Sequence, residues 1–170
     1  MKTRIVGLGN DLLSDDGVGL EVVRELKRRL GPRNDVEYRE SPAGGMRLLD
    51  DLLGSDRAVL VDALLAETFA PGALSVWHWD HEGASFAPVD IGPDTIHAAI
   101  CPSRRYSSTH DTDLATALEI GSTLGMAVPK SVWLFAVAIR DGTTFHQGLG
   151  PEMVRGKDRL VAMLCAALNA

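Results

Sequence analysis

The sequence has few of the features that mark secreted, membrane-spanning or nucleic-acid-binding proteins. Its two cysteines, Cys101 and Cys165, have no C-x-x-C spacing, so we expect isolated thiols and no disulfide framework. No apolar run reaches the roughly 18 residues that a membrane span requires, and the start lacks a secretory apolar segment, so we expect a cytoplasmic protein. The formal net charge of −6 argues against nucleic acid as a partner, because nucleic-acid-binding faces are usually basic.

Two ligand-binding signatures are also missing. The dinucleotide fingerprint G-x-G-x-x-G begins at Gly7 and Gly9 but would need a third glycine where Leu12 stands. Asp15 and Asp16 occupy the predicted helix start, where a pyrophosphate would need bare N–H groups. The absence of a G-x-S-x-G elbow disfavours a small-molecule α/β hydrolase. A loop that presents carboxylates instead suits a cation.

Apolar runs and helical periodicities alternate along the 170 residues, of which 45% are apolar. The order is β-α-β-α-β-β-loop-α-β-α, which predicts a mostly parallel twisted sheet with helices on both faces. The fold class is therefore a three-layer α/β/α sandwich, with residues 1–170 as a single domain. The segment 81–109 has three prolines and no sustained periodicity, and we expect it to be the least ordered part.

Three polar side chains stand out on this frame. Asp16 follows the first strand, Asp62 lies near the carboxyl end of a central strand, and His110 precedes a later helix. All three are predicted at the carboxyl edge of one sheet, and such an O/O/N ligand set suits a divalent transition metal. Each residue also has a structural explanation: one of the adjacent aspartates, which we expect to be Asp15, caps the first helix, Asp62 bonds neighbouring backbone, and His110 belongs to a capping segment.

A longer pattern resembles a known family. It runs Gly7-x-Gly9-Asn10-x-Leu12-x-x-Asp15-Asp16-Gly17-x-Gly19, then Val61-Asp62-Ala63, then Ser108-Thr109-His110, and extends to Gly148-x-Gly150-Pro151-Glu152. This is similar to the hydrogenase maturation endopeptidases, which remove a C-terminal extension from the large subunit of nickel–iron hydrogenases. The family's metal ligands correspond to Asp16, Asp62 and His110.

The resemblance implies that nickel already seated on the immature large subunit is what the protease recognises. Nickel would thus be borne by the substrate, and other divalent cations such as cadmium or zinc are expected to substitute for it in vitro. Whether the metal also activates water or only docks the substrate stays open. A metal-free reading has Asp16 and Asp62 share a proton as an acid–base pair. The alternative from another class is a non-catalytic nickel-binding or chaperone-like partner of a metalloenzyme subunit.

Candidate substrate-binding residues lie in three places: Asn10, the pair Gly44 and Gly45, and the basic pair Arg104 and Arg105. The turn that contains Gly44 and Gly45 departs from the Gly-Thr-x-Gly turn that is frequent in the family. The segment 91–105 is also longer than in the shorter family members, so we expect substrate preference to differ. We expect the stretch 91–109 to flank the metal site and to be mobile without substrate. The alternative is a surface excursion with no role. We expect a monomer whose partner is the hydrogenase large-subunit precursor, with no membrane association.

Overall fold

The computed structural model describes residues 1–42, 45–66, 68–83, 85–92, 95–96 and 113–169. Within these ranges, six strands form one sheet: β1 Thr3–Leu8, β2 Val36–Ser41, β3 Arg57–Leu65, β4 Leu74–Asp80, β5 Phe86–Val89 and β6 Ser131–Ile139. The helices are α1 Val18–Leu30, α2 Gly45–Leu52, α3 Leu114–Thr123 and α4 Pro151–Asn169, and a short 3-10 turn, Ser14–Gly17, precedes α1.

The sheet order is β2-β1-β3-β6-β4-β5. The four strands β2, β1, β3 and β6 run parallel, whereas β4 is antiparallel to β6 and to β5. The loops after β1, β3 and β6 therefore lie at one edge, the carboxyl edge of the parallel strands, which is where ligands bind open α/β sheets. The expected fold class, a three-layer α/β/α sandwich around a mostly parallel sheet, is confirmed.

Alternating side chains of the strands feed two cores. Ile5, Val59 and Val61 pack with α1 and α4 on one face. Val6 and Leu60 pack with α2 and α3 on the other face. Strands buried on both sides carry the continuous apolar runs from which they were predicted.

One detail differs from the sequence prediction. The segment 81–109 was expected to lack regular structure, but Phe86–Val89 forms the edge strand β5. Four residues are too few to show periodicity, and Pro88 is tolerated because an edge strand leaves one side unpaired. No helix within the described residues is long and apolar enough to cross a membrane.

The beginning of α1 is pressed against the backbone of two strands. A Cβ at Gly19 would collide with the carbonyl oxygens of Leu8 and Val61, and one at Gly7 would collide with the carbonyl of Gly19. Glycine at both positions lets the helix approach the strands closely. The close approach brings the loop between β1 and α1 over the carboxyl end of β3.

Candidate functional site

The loop after β1 is shaped around the carboxylate of Asp16. Gly9 has φ +129°, and a Cβ there would strike the backbone carbonyl of Asp16. The Asn10 N–H donates a 2.8 Å hydrogen bond to Asp16 Oδ2. The Asn10 side-chain oxygen in turn accepts a 3.0 Å bond from the Leu12 N–H, which is an Asx turn. The loop thus orients one oxygen of Asp16 by a backbone donor.

The neighbouring Asp15 does not cap the first helix. The residue preceding α1 is Gly17, and no side chain caps α1 or the 3-10 turn before it. Asp15 Oδ1 instead accepts a 2.9 Å bond from the N–H of Gly150, immediately before the start of α4. The prediction that Asp15 caps the first helix was therefore wrong. Its partner, Gly150, lies 135 residues away in the sequence, and no local pattern reveals it.

Asp62 lies within β3 near its carboxyl end, as predicted, and is in register with Ala136 of the neighbouring strand β6. Asp62 is partly buried, and its Oδ1 accepts a 2.9 Å hydrogen bond from the N–H of the next residue, Ala63. The backbone-bonding explanation offered for this aspartate is therefore partly met. One such bond does not offset the burial of a carboxylate.

The 3-10 turn that carries Asp16 contacts β3, the strand that carries Asp62, and the electrostatics of the two acids agree with this arrangement. Burial is the largest cause that raises the pKa of Asp62 to about 7, the bond from Ala63 opposes it, and the negative charge of Asp16 raises it further. Burial also raises the pKa of Asp16, against the hydrogen bond from Asn10. The structure thus places Asp16 and Asp62, two of the three predicted residues, at the carboxyl edge of the sheet.

The loop after β6 forms a wall of this site that the sequence did not predict. The Asp141 carbonyl accepts a 3.2 Å bond from the Asp15 N–H. The Asp141 carboxylate accepts bonds from the N–H groups of Thr143 and Thr144, which lower its pKa to about 2. An added Cβ at Gly142 would lie 3.8 Å from Asp16 Oδ1. The only sequence signal for this wall is the Asp141-Gly142 turn pair.

Several predicted residues lie outside the described part of the chain. These are His110, Gly44, Arg104 and Arg105. Their assignments, and that of most of the stretch 91–109, stay predictions. Gly45 is the first residue of α2. Asp113 caps α3 by accepting a 2.9 Å bond from the Thr116 N–H.

Within the described ranges, no group of three or more histidine, cysteine, aspartate or glutamate side chains could hold a metal ion. Asp16 and Asp62 by themselves can act in two ways. As carboxylates they are hard oxygen ligands for a divalent cation that brings further ligands with it. As a pair of partly buried acids, one with a pKa near neutral, they can hold and release a proton.

No family model matches the chain. The chain is 32% identical over 169 residues to the hydrogenase 2 maturation protease of Escherichia coli, covering 99% of this chain and 92% of that protein. Among solved structures, the hydrogenase maturating endopeptidase of Escherichia coli is similar with a TM-score of 0.73 at 25% identity, covering 99% of this chain and 93% of that one.

A nickel–iron hydrogenase maturation protease of Thermococcus kodakarensis has the same fold, with a TM-score of 0.60 at 20% identity over 99% of this chain and 93% of its own. These similarities extend over nearly the whole sequence rather than one motif. The chain therefore belongs to the hydrogenase maturation protease family and is a peptidase.

Proposed function

We propose that this peptidase removes the C-terminal extension of a nickel-loaded hydrogenase large-subunit precursor in the cytoplasm. The observation that carries the proposal is the meeting of Asp16 and Asp62 at the carboxyl edge, in a chain of this family. Two carboxylates suit a cation, and a site with so few ligands binds it well only when the substrate supplies the rest. The nickel ion therefore belongs to the substrate.

In this proposal Asp16 and Asp62 contact the substrate's nickel, and His110 is the third ligand. The Asn10 N–H holds Asp16 Oδ2, so that Asp16 Oδ1 is the oxygen left to face the metal. Burial opposes ionisation of both acids, and an arriving cation favours it, so metal docking and loss of the proton from Asp62 are linked.

The test is an incubation of the purified protein with nickel-loaded and nickel-free precursor, followed by intact mass measurement of the large subunit. We expect a shorter product from the nickel-loaded precursor only. Cleavage of the nickel-free precursor would favour the reading in which Asp16 and Asp62 act as a metal-free acid–base pair. Stable binding without cleavage would favour the non-catalytic nickel-binding or chaperone-like partner.

Single substitutions test which residues act as metal ligands. Asp16→Asn and His110→Ala should each abolish processing while the far-ultraviolet circular dichroism stays that of the wild type. Glu119→Gln, at an exposed acid of α3, is the matched control and should process normally. Full cleavage by either site variant would contradict the ligand assignment, and unfolding of both would favour a structural role for these residues.

A further inference from the structure

Two exposed apolar side chains lie on the two loops that also border Asp16. Leu12, in the loop after β1, is 54% exposed, and Phe145, in the loop after β6, is 85% exposed. Single exposed apolar residues are common on protein surfaces and need no explanation. These two are different because the backbone holds them next to each other.

A short parallel bridge joins the two loops. The Ser14 N–H donates to the His146 carbonyl at 2.8 Å, and the His146 N–H donates to the Leu12 carbonyl at 3.2 Å. The bridge pairs Leu13 with His146, so its register brings Leu12 alongside Phe145. Ser14 adopts φ +49°, which is costly for a residue with a side chain. The positions of the exposed side chains of Leu12 and Phe145 are therefore fixed by the strained residue Ser14 and by two non-local backbone hydrogen bonds.

The same two loops also build the acid site and a neighbouring cavity. Asp15 bonds the Asp141 carbonyl, and Gly142 approaches Asp16. Residues on either side of the bridge line a cavity of about 210 Å³, whose wall includes Asp11, Arg24 and Lys157. Arg24 there is engaged by three carboxylates, so the wall is polar and mixed in charge. An apolar surface beside a polar cavity with room for a side chain matches a polypeptide segment, which alternates apolar and polar groups. It matches a uniformly apolar partner such as a lipid less well.

We propose that Leu12 and Phe145 form a docking surface for an apolar residue of the substrate polypeptide, next to the bond that is cut. The inference rests on the proposed function and adds to it a second point of recognition, since the acids can select a metal ion but not a protein. The occupant is the precursor itself, because the surface is continuous with the site through the same bridge and the same loops.

The experiment measures both affinity and turnover. Leu12→Ala, Phe145→Ala and the double variant are compared with the wild type for Kd and KM on nickel-loaded precursor, and for the affinity of the free enzyme for cadmium. Each single change should raise Kd and KM about tenfold, the typical effect of truncating an apolar anchor in an interface. We expect kcat to stay within about twofold and cadmium affinity to be unchanged, since the bridge uses only backbone atoms. Phe145→Leu should restore most of the affinity.

Leu124→Ala is the matched control. Leu124 is 70% exposed in the turn before β6, at the opposite edge of the sheet, and its truncation should change nothing. An unchanged Kd in the double variant would overturn the inference, as would an equal loss in Leu124→Ala. A wild-type dimer that dissociates on Phe145→Ala, seen by light scattering, would show that the occupant is a second copy.

The proposed function can fail separately from this inference. A wild type that binds the precursor without cutting it would contradict the peptidase reaction on this substrate, while the Kd values would still decide the docking surface. A wild type that neither binds nor cuts the precursor would overturn both.

Discussion

Asp62→Asn should make the protein more stable while it removes a proposed metal ligand. An aspartate in water has a pKa of about 3.9, whereas burial and the charge of Asp16 raise that of Asp62 to about 7. The folded state therefore keeps a proton that the unfolded chain has released. Stability falls as pH rises from about 4 to 7, because over that range the folded state binds more protons than the unfolded state.

The magnitude follows from this difference. About three pK units at 1.36 kcal/mol each give an upper bound of about 4 kcal/mol above pH 7. Asp62 keeps part of its surface, and screening by solvent reduces the effect, so we expect a gain of about 1–2 kcal/mol at pH 8. Asparagine has the same shape, and its side-chain oxygen can still accept the bond from the Ala63 N–H.

The assay is urea unfolding followed by tryptophan fluorescence, in the presence of a chelator, at pH 5 and pH 8. The free energy of unfolding of Asp62→Asn should exceed that of the wild type at pH 8 and by much less at pH 5. Glu119→Gln, at an exposed acid, controls for the loss of one negative charge. A gain of the same size at both pH values, or none at pH 8, would refute the reasoning that burial of this carboxyl raises its pKa.

Three further predictions concern the framework of the site. Glu37→Gln should lower the free energy of unfolding in urea by about 2 kcal/mol at pH 7, because buried Arg4 bonds Glu37 and lowers its pKa to about 2. This stabilisation is present above about pH 4.3, the pKa of an unfolded glutamate, and is lost as the pH falls toward 2. A deficit in Glu37→Gln that persists in full at pH 2 would contradict it. Asp15→Ala should lower thermal stability by about 1 kcal/mol through the lost bond to the Gly150 N–H, and an unchanged melting temperature would show that water replaces it. Gly19→Ala should cost about 3 kcal/mol or more in the same unfolding assay, because its Cβ would collide with strand backbone, and a fully stable variant would mean that α1 can move away from the sheet.

The sequence alone determined the architecture and part of the site. Apolar runs alternating with helical stripes are sufficient to predict a parallel sheet, because strands buried on both faces and helices buried on one leave those patterns in the chain. Gly7 and Gly19 of the opening motif are needed where α1 meets the strands, a reason that the sequence pattern does not itself give. Asp16 and Asp62 were predicted together because parallel strands end at the same edge. The short edge strand β5 was missed, since four residues with a proline carry no period.

Tertiary structure alone decided what each acid does. Asp15 and Asp16 are adjacent and chemically identical, yet one bonds the start of α4 and the other faces Asp62. The difference depends on partners more than 40 residues away in the sequence, which no local pattern records. The same holds for the bridge between the loops of Leu12 and Phe145. Propensity and periodicity act over one or two turns of chain, whereas burial, charge proximity and non-local hydrogen bonds exist only once the sheet has brought the loops together.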